Sequence, residues 1–242
     1  MPIVVFVFIT ALIMIGVEIK KPGRNWQKVS NWWARAIVLN LFQVISVFIG
    51  AATWNKWFAG KALWNAEAYL GITGGALLGY FVITFIYYWW HRIRHESDFL
   101  WRYLHQLHHS PQRIEIITAF YKHPVEILIN SVLSSAILYL LVGLGPEASS
   151  LAVLLTGLAE LVYHWNVKTP YWLGFFFQRP ESHCIHHKQG WHRQNFSDLP
   201  LWDIIFGTFQ NPKEFNESCG FSEGRELQMK EMLLGRDVHK KP

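Results

Sequence analysis

The stretch YLGITGGALLGYFVITFIYYWW (Tyr69–Trp90) contains no charged side chain, and HRIRH (His91–His95) follows it at once. A helix that spans a bilayer needs about 20 mostly apolar residues in a row, whereas a core helix of a soluble domain needs far fewer. The stretch therefore predicts a transmembrane helix that delivers histidines to the membrane surface. Gly75 and Gly79 within it form a small-xxx-small pair, which lets two transmembrane helices approach closely.

Four further apolar runs accompany this stretch, namely Pro2–Val17, Ala36–Trp54, Val125–Leu144 and Ala148–Tyr163. The first run lacks a basic segment before it and a small-residue cleavage site, so we interpret it as a retained span rather than a signal peptide. Several of the 13 tryptophans flank the runs, where membrane interfaces favour them. The pattern predicts an all-α, polytopic membrane protein with four to five transmembrane helices. Whether the hairpin at 125–163 crosses the bilayer fully is left open.

The basic residues predict the orientation of the spans. The loop after the first run carries Lys20, Lys21, Arg24, Lys28 and Arg35, whereas the loop after the second carries Lys56 and Lys61. Lys and Arg concentrate in cytoplasmic loops, so the first loop is predicted to be cytoplasmic. Counting spans from there places the histidines on the same side, in a cytoplasmic helical cap. Basic loops beside anionic lipid account for the net charge of +5, and no nucleic-acid partner is indicated.

Eight of the 12 histidines fall into three clusters: His91 and His95 in HRIRH, His105, His108 and His109 in HQLHH, and His183, His186 and His187 in HCIHH. Residues three and four apart lie on one face of a helix, so each segment can direct its imidazoles at one point. Eight imidazoles exceed what one four- to six-coordinate ion uses, which predicts a site for two metal ions. Each H-x-x-H-H triplet is expected to supply ligands to its own metal ion, or to its own side of a shared pair of metal ions. The ligand type alone leaves iron, zinc and copper open.

The three clusters, in this order, resemble the histidine boxes of the membrane fatty acid hydroxylase and sterol desaturase superfamily. YKHPVE (Tyr121–Glu126), HWN (His164–Asn166) and NFSDLPLWDIIFGTF (Asn195–Phe209) are also similar to motifs of that superfamily. The resemblance covers about residues 80–212. It implies two iron ions that use dioxygen as co-substrate to hydroxylate, or in some members desaturate, an unactivated C–H bond of a lipid or sterol-like substrate.

The same resemblance implies partners. A membrane lipid is the expected substrate, although its identity is left open. Electrons are expected from a separate cytochrome-type or ferredoxin-type protein with an NAD(P)H reductase, because the sequence contains no haem-binding or reductase motif.

One motif departs from the family pattern. Some members carry a further H-x-x-x-H, whereas this chain has Glu160 four residues before a single His164. His164 is therefore a candidate ligand, and His123 or the Glu160 carboxylate is a candidate for the missing one, since carboxylates ligate iron in soluble di-iron bundles. Asn166 and Asp203 are expected to orient ligand imidazoles through hydrogen bonds. Glu160, Asn166 and Asp203 are thus the candidate catalytic residues, and His192 is expected to be a loop histidine.

The predicted organisation has three parts: N-terminal transmembrane helices and loops at 1–68, a catalytic domain at 69–212 and a polar C-terminal tail at 213–242. A bacterial inner membrane is favoured over the endoplasmic reticulum, because the last residues carry no retention signal. The alternative function is a membrane metal-binding or transport protein. Transporters place their ligands near the bilayer midplane, whereas these histidines are predicted on one side, so the oxygenase is favoured.

Overall fold

A computed structural model describes residues 2–222 and 224–239, and in these ranges the regular secondary structure is entirely helical. The α-helices are α1 (Pro2–Lys20), α2 (Trp32–Ala52), α3 (Trp54–Phe58), α4 (Ala66–Glu96), α5 (Asp98–Leu100), α6 (Gln106–His109), α7 (Pro124–Ser135), α8 (Pro146–His164), α9 (Pro180–His186), α10 (Pro200–Ile205) and α11 (Met229–Leu233). Two π-helical segments, Trp101–His105 and Ala136–Val142, precede α6 and continue α7, and short 3₁₀ turns lie at Ile116–Thr118, Tyr171–Phe175 and Arg225–Leu227.

Three helices within the described ranges are long and apolar enough to cross a membrane, namely Trp32–Phe58, Ala66–Glu96 and Pro124–Val142. By length and composition they make the chain an integral membrane protein. The helices α1 and α8 are not in this set. The predicted count of four to five spans and the cytoplasmic position of the cap therefore stay predictions.

Helix α4 links the membrane to the site. Its first turn is capped by Asn65, whose side chain accepts a hydrogen bond from the Ala68 amide at 3.2 Å, as is typical of helix N-termini. The helix runs unbroken past Trp90 to Glu96 after a kink at Gly71, where φ is +65°. The histidines of HRIRH are therefore its last turns, and the apolar span fixes their position.

The core beneath the site forms where α4 packs against α8 and the π-helical segment after α7. Buried members of this core are Ala66, Ala76, Ile83, Ile137, Leu138, Val142, Leu144, Ala148 and Ala152. A Cβ atom at Gly79 would stand 2.8 Å from side-chain atoms of Leu138 and Leu144, and one at Gly75 would stand 2.9 Å from Leu144. Both glycines thus permit the close approach that their spacing predicts.

The C-terminal segment covers the outer side of the histidine-bearing helices. Met232 on α11 is fully buried in a cluster with Leu107, Tyr121 and Phe221. The Gln106 side chain donates a hydrogen bond to the Arg236 carbonyl at 2.8 Å. The described part of the tail is therefore a packed component of the cap.

Candidate metal centre

Nine of the ten predicted histidine ligands come together in two adjacent groups. In each group, one ligand-capable nitrogen from every member lies within 4.8 Å of the others. The five-histidine group consists of His91, His95, His105, His109 and His186, and the four-histidine group consists of His108, His164, His183 and His187. The groups touch, since the rings of His109 and His187 stack with centroids 4.3 Å apart.

The two H-x-x-H-H triplets are divided between the groups. His105 and His109 enter the five-histidine group, whereas His108 between them enters the other. In the second triplet, His183 and His187 enter the four-histidine group, whereas His186 enters the five-histidine group. The expectation that each triplet serves its own metal is therefore wrong. Successive helical residues point about 100° apart, so neighbouring histidines face different groups while residues four apart share one.

Local backbone structure places each triplet. The first begins at His105, the last residue of a π-helical turn, Trp101–His105, and such turns are frequent at functional sites. The second lies on α9, which begins with Pro180 at its first turn and ends at His186. The His187 amide still donates to the His183 carbonyl at 3.0 Å, so the second pair keeps helical spacing.

The hydrogen-bonding state of the imidazoles fits metal ligation. The Nε2 atom of every member of the five-histidine group is buried without a hydrogen-bond partner. A buried polar atom without a partner costs free energy, and a bound metal ion would satisfy these nitrogens together. Seven of the nine rings, those of His105, His108, His109, His164, His183, His186 and His187, are at most 2% exposed, so the groups are shielded from bulk water.

The opposite edge of several rings is held by backbone carbonyls. The Nδ1 atoms of His91 and His186 lie 2.7 Å from the carbonyl oxygens of Phe196 and Gln194. His164 Nδ1 lies 2.9 Å from the Glu160 carbonyl, and His108 Nδ1 lies 3.2 Å from that of Tyr121. A carbonyl accepts only, so Nδ1 carries the proton in each ring and Nε2 is free to bind a metal.

In the four-histidine group three Nε2 atoms already converge. His183 Nε2 lies 3.0 Å from His164 Nε2 and 3.1 Å from His187 Nε2. Nitrogens that share one ion at about 2.1 Å stand roughly 3.0–3.4 Å apart, depending on coordination geometry. The group thus has the spacing of a ligand set.

Burial also keeps the cap imidazoles uncharged. It lowers the pKa of His105, His108, His109, His183 and His187 well below 6.5 and that of His186 to about 3. Charge repulsion from neighbouring histidines or from Arg94 lowers these pKa values further. Neutral imidazole is the form that binds metal ions, so the electrostatics of the site favour ligation.

A buried ion pair lies next to the five-histidine group and contacts the ring of one of its members. Glu126 is fully buried, and its Oε1 atom pairs with the Arg94 guanidinium and lies 3.1 Å from His105 Nδ1. A carboxylate that accepts the outer proton of a ligand histidine fixes the ring and raises its basicity. Glu126 and Arg94 are site residues that the sequence reasoning missed, although Glu126 closes the quoted motif YKHPVE.

The structure does not bring His123 into either group. Its Nδ1 atom caps α7 by accepting a hydrogen bond from the Val125 amide at 3.1 Å, and its Nε2 atom lies 3.2 Å from the Leu233 carbonyl. Glu160 also stays outside, because its carboxylate pairs with Lys122. Its contribution is the backbone carbonyl that holds His164.

The other two candidate catalytic residues hold backbone segments. The Asp203 carboxylate accepts hydrogen bonds from the amides of Phe196 and Ser197 at 2.8 and 3.0 Å, and the Phe196 carbonyl in turn holds His91. Asp203 therefore orients a candidate ligand through one intermediate residue. The Asn166 side chain instead pairs with the backbone of Arg24, at 2.9 Å in both directions, away from the histidines.

His192, expected to be a loop residue, lies against the five-histidine group. Its ring centroid is 4.7 Å from that of His109 and 5.1 Å from that of Trp101, and burial lowers its pKa to about 4. The ring therefore covers the group from the loop after α9.

A family model described as fatty acid hydroxylase matches residues 76–208, more than half of the chain. The chain therefore belongs to the fatty acid hydroxylase family, which confirms the resemblance drawn from the histidine clusters.

Individual relatives differ in the activities that their names state. The chain is 29% identical over 144 residues to a very-long-chain aldehyde decarbonylase of Oryza sativa subsp. indica, a match that covers 58% of the chain and 56% of the relative. It is 33% identical over 142 residues to an ornithine lipid hydroxylase of Rhizobium tropici, covering 56% and 42%. It is 29% identical over 126 residues to a sphinganine C4-monooxygenase of Arabidopsis thaliana, covering 50% and 48%. The chain thus spans about half the length of these relatives. No solved structure matches it.

Proposed function

We propose that this chain is a membrane-bound di-iron oxygenase that hydroxylates an unactivated C–H bond of a lipid, with dioxygen as co-substrate. The observation that carries the proposal is the pair of touching histidine groups, which lie at the end of an apolar helix. In the five-histidine group every Nε2 atom is buried without a partner, and in the four-histidine group three Nε2 atoms converge. The names of two relatives, a lipid hydroxylase and a monooxygenase, support the reaction type. Iron, when bound, would supply the redox chemistry that activates dioxygen.

An apolar cavity of about 350 Å³ supports a lipid substrate. It lies between α8 and the segment 169–180, and Leu155, Leu158 and Val162 of α8 form part of its wall. Its lining residue Tyr163 contacts His183, with ring centroids 4.4 Å apart, and the Gln178 amide lies 2.6 Å from His183 Nδ1. An alkyl chain in this cavity would therefore end beside the four-histidine group, and its walls would exclude water from the reacting carbon.

The residues around the cavity have separate tasks in this proposal. The nine grouped histidines hold the metals, and Glu126, Asp203 and the backbone carbonyls orient their rings. The Asp198 carboxyl lines the cavity and bonds to the Tyr163 hydroxyl, and burial raises the pKa of Asp198 to about 7. Asp198 can therefore hold or release a proton near neutral pH, beside the place where the substrate would lie.

The proposal includes the membrane context. The site faces the cytoplasm of a bacterial inner membrane, and a separate cytochrome-type or ferredoxin-type partner with an NAD(P)H reductase supplies the electrons. The unequal distribution of basic residues between the first two loops supports this orientation.

The test is mass spectrometry of total lipids from aerated cells that express the wild-type chain, His109→Ala or His239→Ala at equal levels. His239 lies outside both groups and serves as the matched control. A lipid with one additional oxygen in the wild type and the control, but absent with His109→Ala, is expected. A lipid that lacks two hydrogens in the same two samples would instead make the chain a desaturase. Identical lipids in all three samples, with iron and a reductase supplied, would refute the oxygenase and favour a metal-binding role.

A further inference from the structure

A second cavity, of about 510 Å³, lies on the other side of Thr169 from the apolar one. It is lined by residues 23–26 of the loop between α1 and α2, by Lys168, Thr169 and Glu181, and by residues 213–217. None of these residues belongs to the histidine groups. We call it the Arg24 cavity.

The Arg24 side chain is the buried cation of this cavity. It is 9% exposed, and its Nε and NH1 atoms are buried without a hydrogen-bond partner. Its remaining nitrogen, NH2, lies 3.4 Å from Glu181 Oε1, which is long for a charge-assisted hydrogen bond. A buried guanidinium with two unsatisfied nitrogens costs free energy unless a further acceptor reaches it.

Glu181 does not satisfy this need, because its carboxylate is already shared. Oε1 accepts a hydrogen bond from the Thr169 amide at 3.0 Å, and Oε2 accepts one from the Thr169 hydroxyl at 2.7 Å. Oε2 also lies 3.1 Å from the Arg179 guanidinium. One carboxylate therefore stands against two guanidinium groups, which leaves a local excess of positive charge.

The rim adds further positive charge. Lys168 and Lys213 line the cavity, are exposed, and form no ion pair within the described ranges. Of the rim acids, Glu217 is paired with Lys188, whereas Glu214 is exposed and has no such pair in the same ranges. Two free ammonium groups and a partly satisfied guanidinium thus face one free carboxylate.

The backbone that carries Arg24 is held in place before any ligand arrives. The Gly23 amide donates to the Asn166 carbonyl at 2.7 Å, and the Asn166 side chain binds the amide and the carbonyl of Arg24. A Cβ atom at Gly23 would stand 2.5 Å from the Val167 carbonyl carbon, so this close contact requires glycine. Fixing the cation in advance reduces the entropy that binding would cost.

We propose that the Arg24 cavity binds a phosphate-type anion, with Arg24 at its base and Lys168 and Lys213 at its rim. Guanidinium and ammonium groups are the side chains that recognise phosphate oxygens. Two sources share this chemistry. The headgroup of an acidic phospholipid is one, because Trp26 lines the cavity just before the candidate span at α2, and free inorganic phosphate is the other.

The test measures the thermal unfolding midpoint of the full chain, purified in an uncharged detergent. One arm titrates inorganic phosphate against chloride at equal ionic strength. The other compares dihexanoyl phosphatidic acid with dihexanoyl phosphatidylcholine below their micelle concentrations. A ligand that binds only the folded protein raises the midpoint as its concentration increases. Because the readout is binding, the result does not depend on whether the chain is an oxygenase.

The decisive double variant, called the rim variant, is Lys168→Gln/Lys213→Gln, which leaves the buried Arg24 intact. The control is Lys20→Gln/Lys21→Gln, which removes the same charge outside the cavity. We expect about tenfold more ligand to be needed for the rim variant and no change for the control. Arg24→Gln, if it folds, is expected to lose the response.

A response to phosphate that weakens in the rim variant supports a free-anion site. A response to phosphatidic acid alone, weakened in the same way, supports a headgroup site. The proposal is overturned if neither anion acts differently from its comparison compound, or if the rim variant responds like the wild type.

Discussion

Replacement of Glu126 by glutamine tests whether the buried ion pair behind the five-histidine group controls metal binding. Glu126 is fully buried and Arg94 is 4% exposed, so Glu126→Gln leaves a buried guanidinium without its counter-charge. Removing one partner of a buried ion pair costs about 3–5 kcal/mol. Glutamine keeps the shape and one acceptor oxygen, so we expect the lower end, about 3 kcal/mol. Loss of the carboxylate beside His105 Nδ1 is expected to weaken metal binding about 10- to 100-fold.

The assay measures metal content by mass spectrometry after equilibration with increasing chelator, together with the thermal midpoint. Glu160→Gln is the matched control. The Lys122 and Glu160 side chains are 12% and 16% exposed, so the control also removes one partner of a largely buried ion pair and is expected to lose stability. The support of His164 comes from the Glu160 backbone, so the control is expected to keep its metal. The reasoning fails if folded Glu126→Gln retains metal at the same chelator concentrations as Glu160→Gln.

Three further predictions follow from particular contacts. His123→Asn keeps a helix-capping side chain and is expected to retain full metal content, whereas His109→Ala is expected to lose metal. If both variants lost metal equally in the metal-content assay, His123 would be a ligand. The metal-free protein is expected to lose stability as the pH falls from 6.5 towards about 3, because burial lowers the pKa of His186 to about 3 and that of the other cap ligands well below 6.5. These histidines are neutral in the folded state and protonated in the unfolded state within this window, which removes up to about 1.4 kcal/mol per pH unit for each. The raised pKa values of Asp198 and Asp203, each about 7, act in the opposite direction but involve fewer groups, so a thermal midpoint that does not fall between pH 7.5 and 5.5 would contradict the assignment. Gly143→Ala is expected to destabilise the chain by at least about 1–3 kcal/mol, because φ is +74° there and a Cβ atom would lie 1.6 Å from the Trp64 carbonyl oxygen. The control, Gly157→Ala on α8, has open space and is expected to be neutral or stabilising. Similar thermal midpoints for the two variants would contradict this prediction.

Local features of the chain were predictable because they depend on residues near one another in sequence. The uncharged run Tyr69–Trp90 predicts a long helix, and α4 contains it. The spacings within HRIRH, HQLHH and HCIHH predict that histidines three and four apart share a helix face. Each pair four apart enters one group, whereas the pairs three apart, His105 with His108 and His183 with His186, are divided between the groups.

The support of the site was less predictable, because it depends on distant segments. Glu126 is 32 residues from Arg94, and the pair forms only when α7 packs beside α4. The role of His192 depends on where the loop after α9 folds. Asp203 and Asn166 were predicted to make hydrogen bonds, but spacing could not reveal that one holds the loop behind His91 and the other holds Arg24.

The division of the triplets gives a physical reason for the repeated H-x-x-H-H pattern. On a helix, residue i+4 lies about 40° to one side of residue i and residue i+3 about 60° to the other side, so a single triplet can supply two ligands to one centre and one to its neighbour. The first triplet supplies two ligands to the five-histidine group and one to the four-histidine group, and the second triplet supplies one and two. Each group thus receives three ligands, to which α4 adds two histidines in the five-histidine group and α8 adds one in the four-histidine group. In the proposed di-iron site, moving either triplet would displace ligands of both metals. The two centres are therefore expected to bind and lose metal cooperatively.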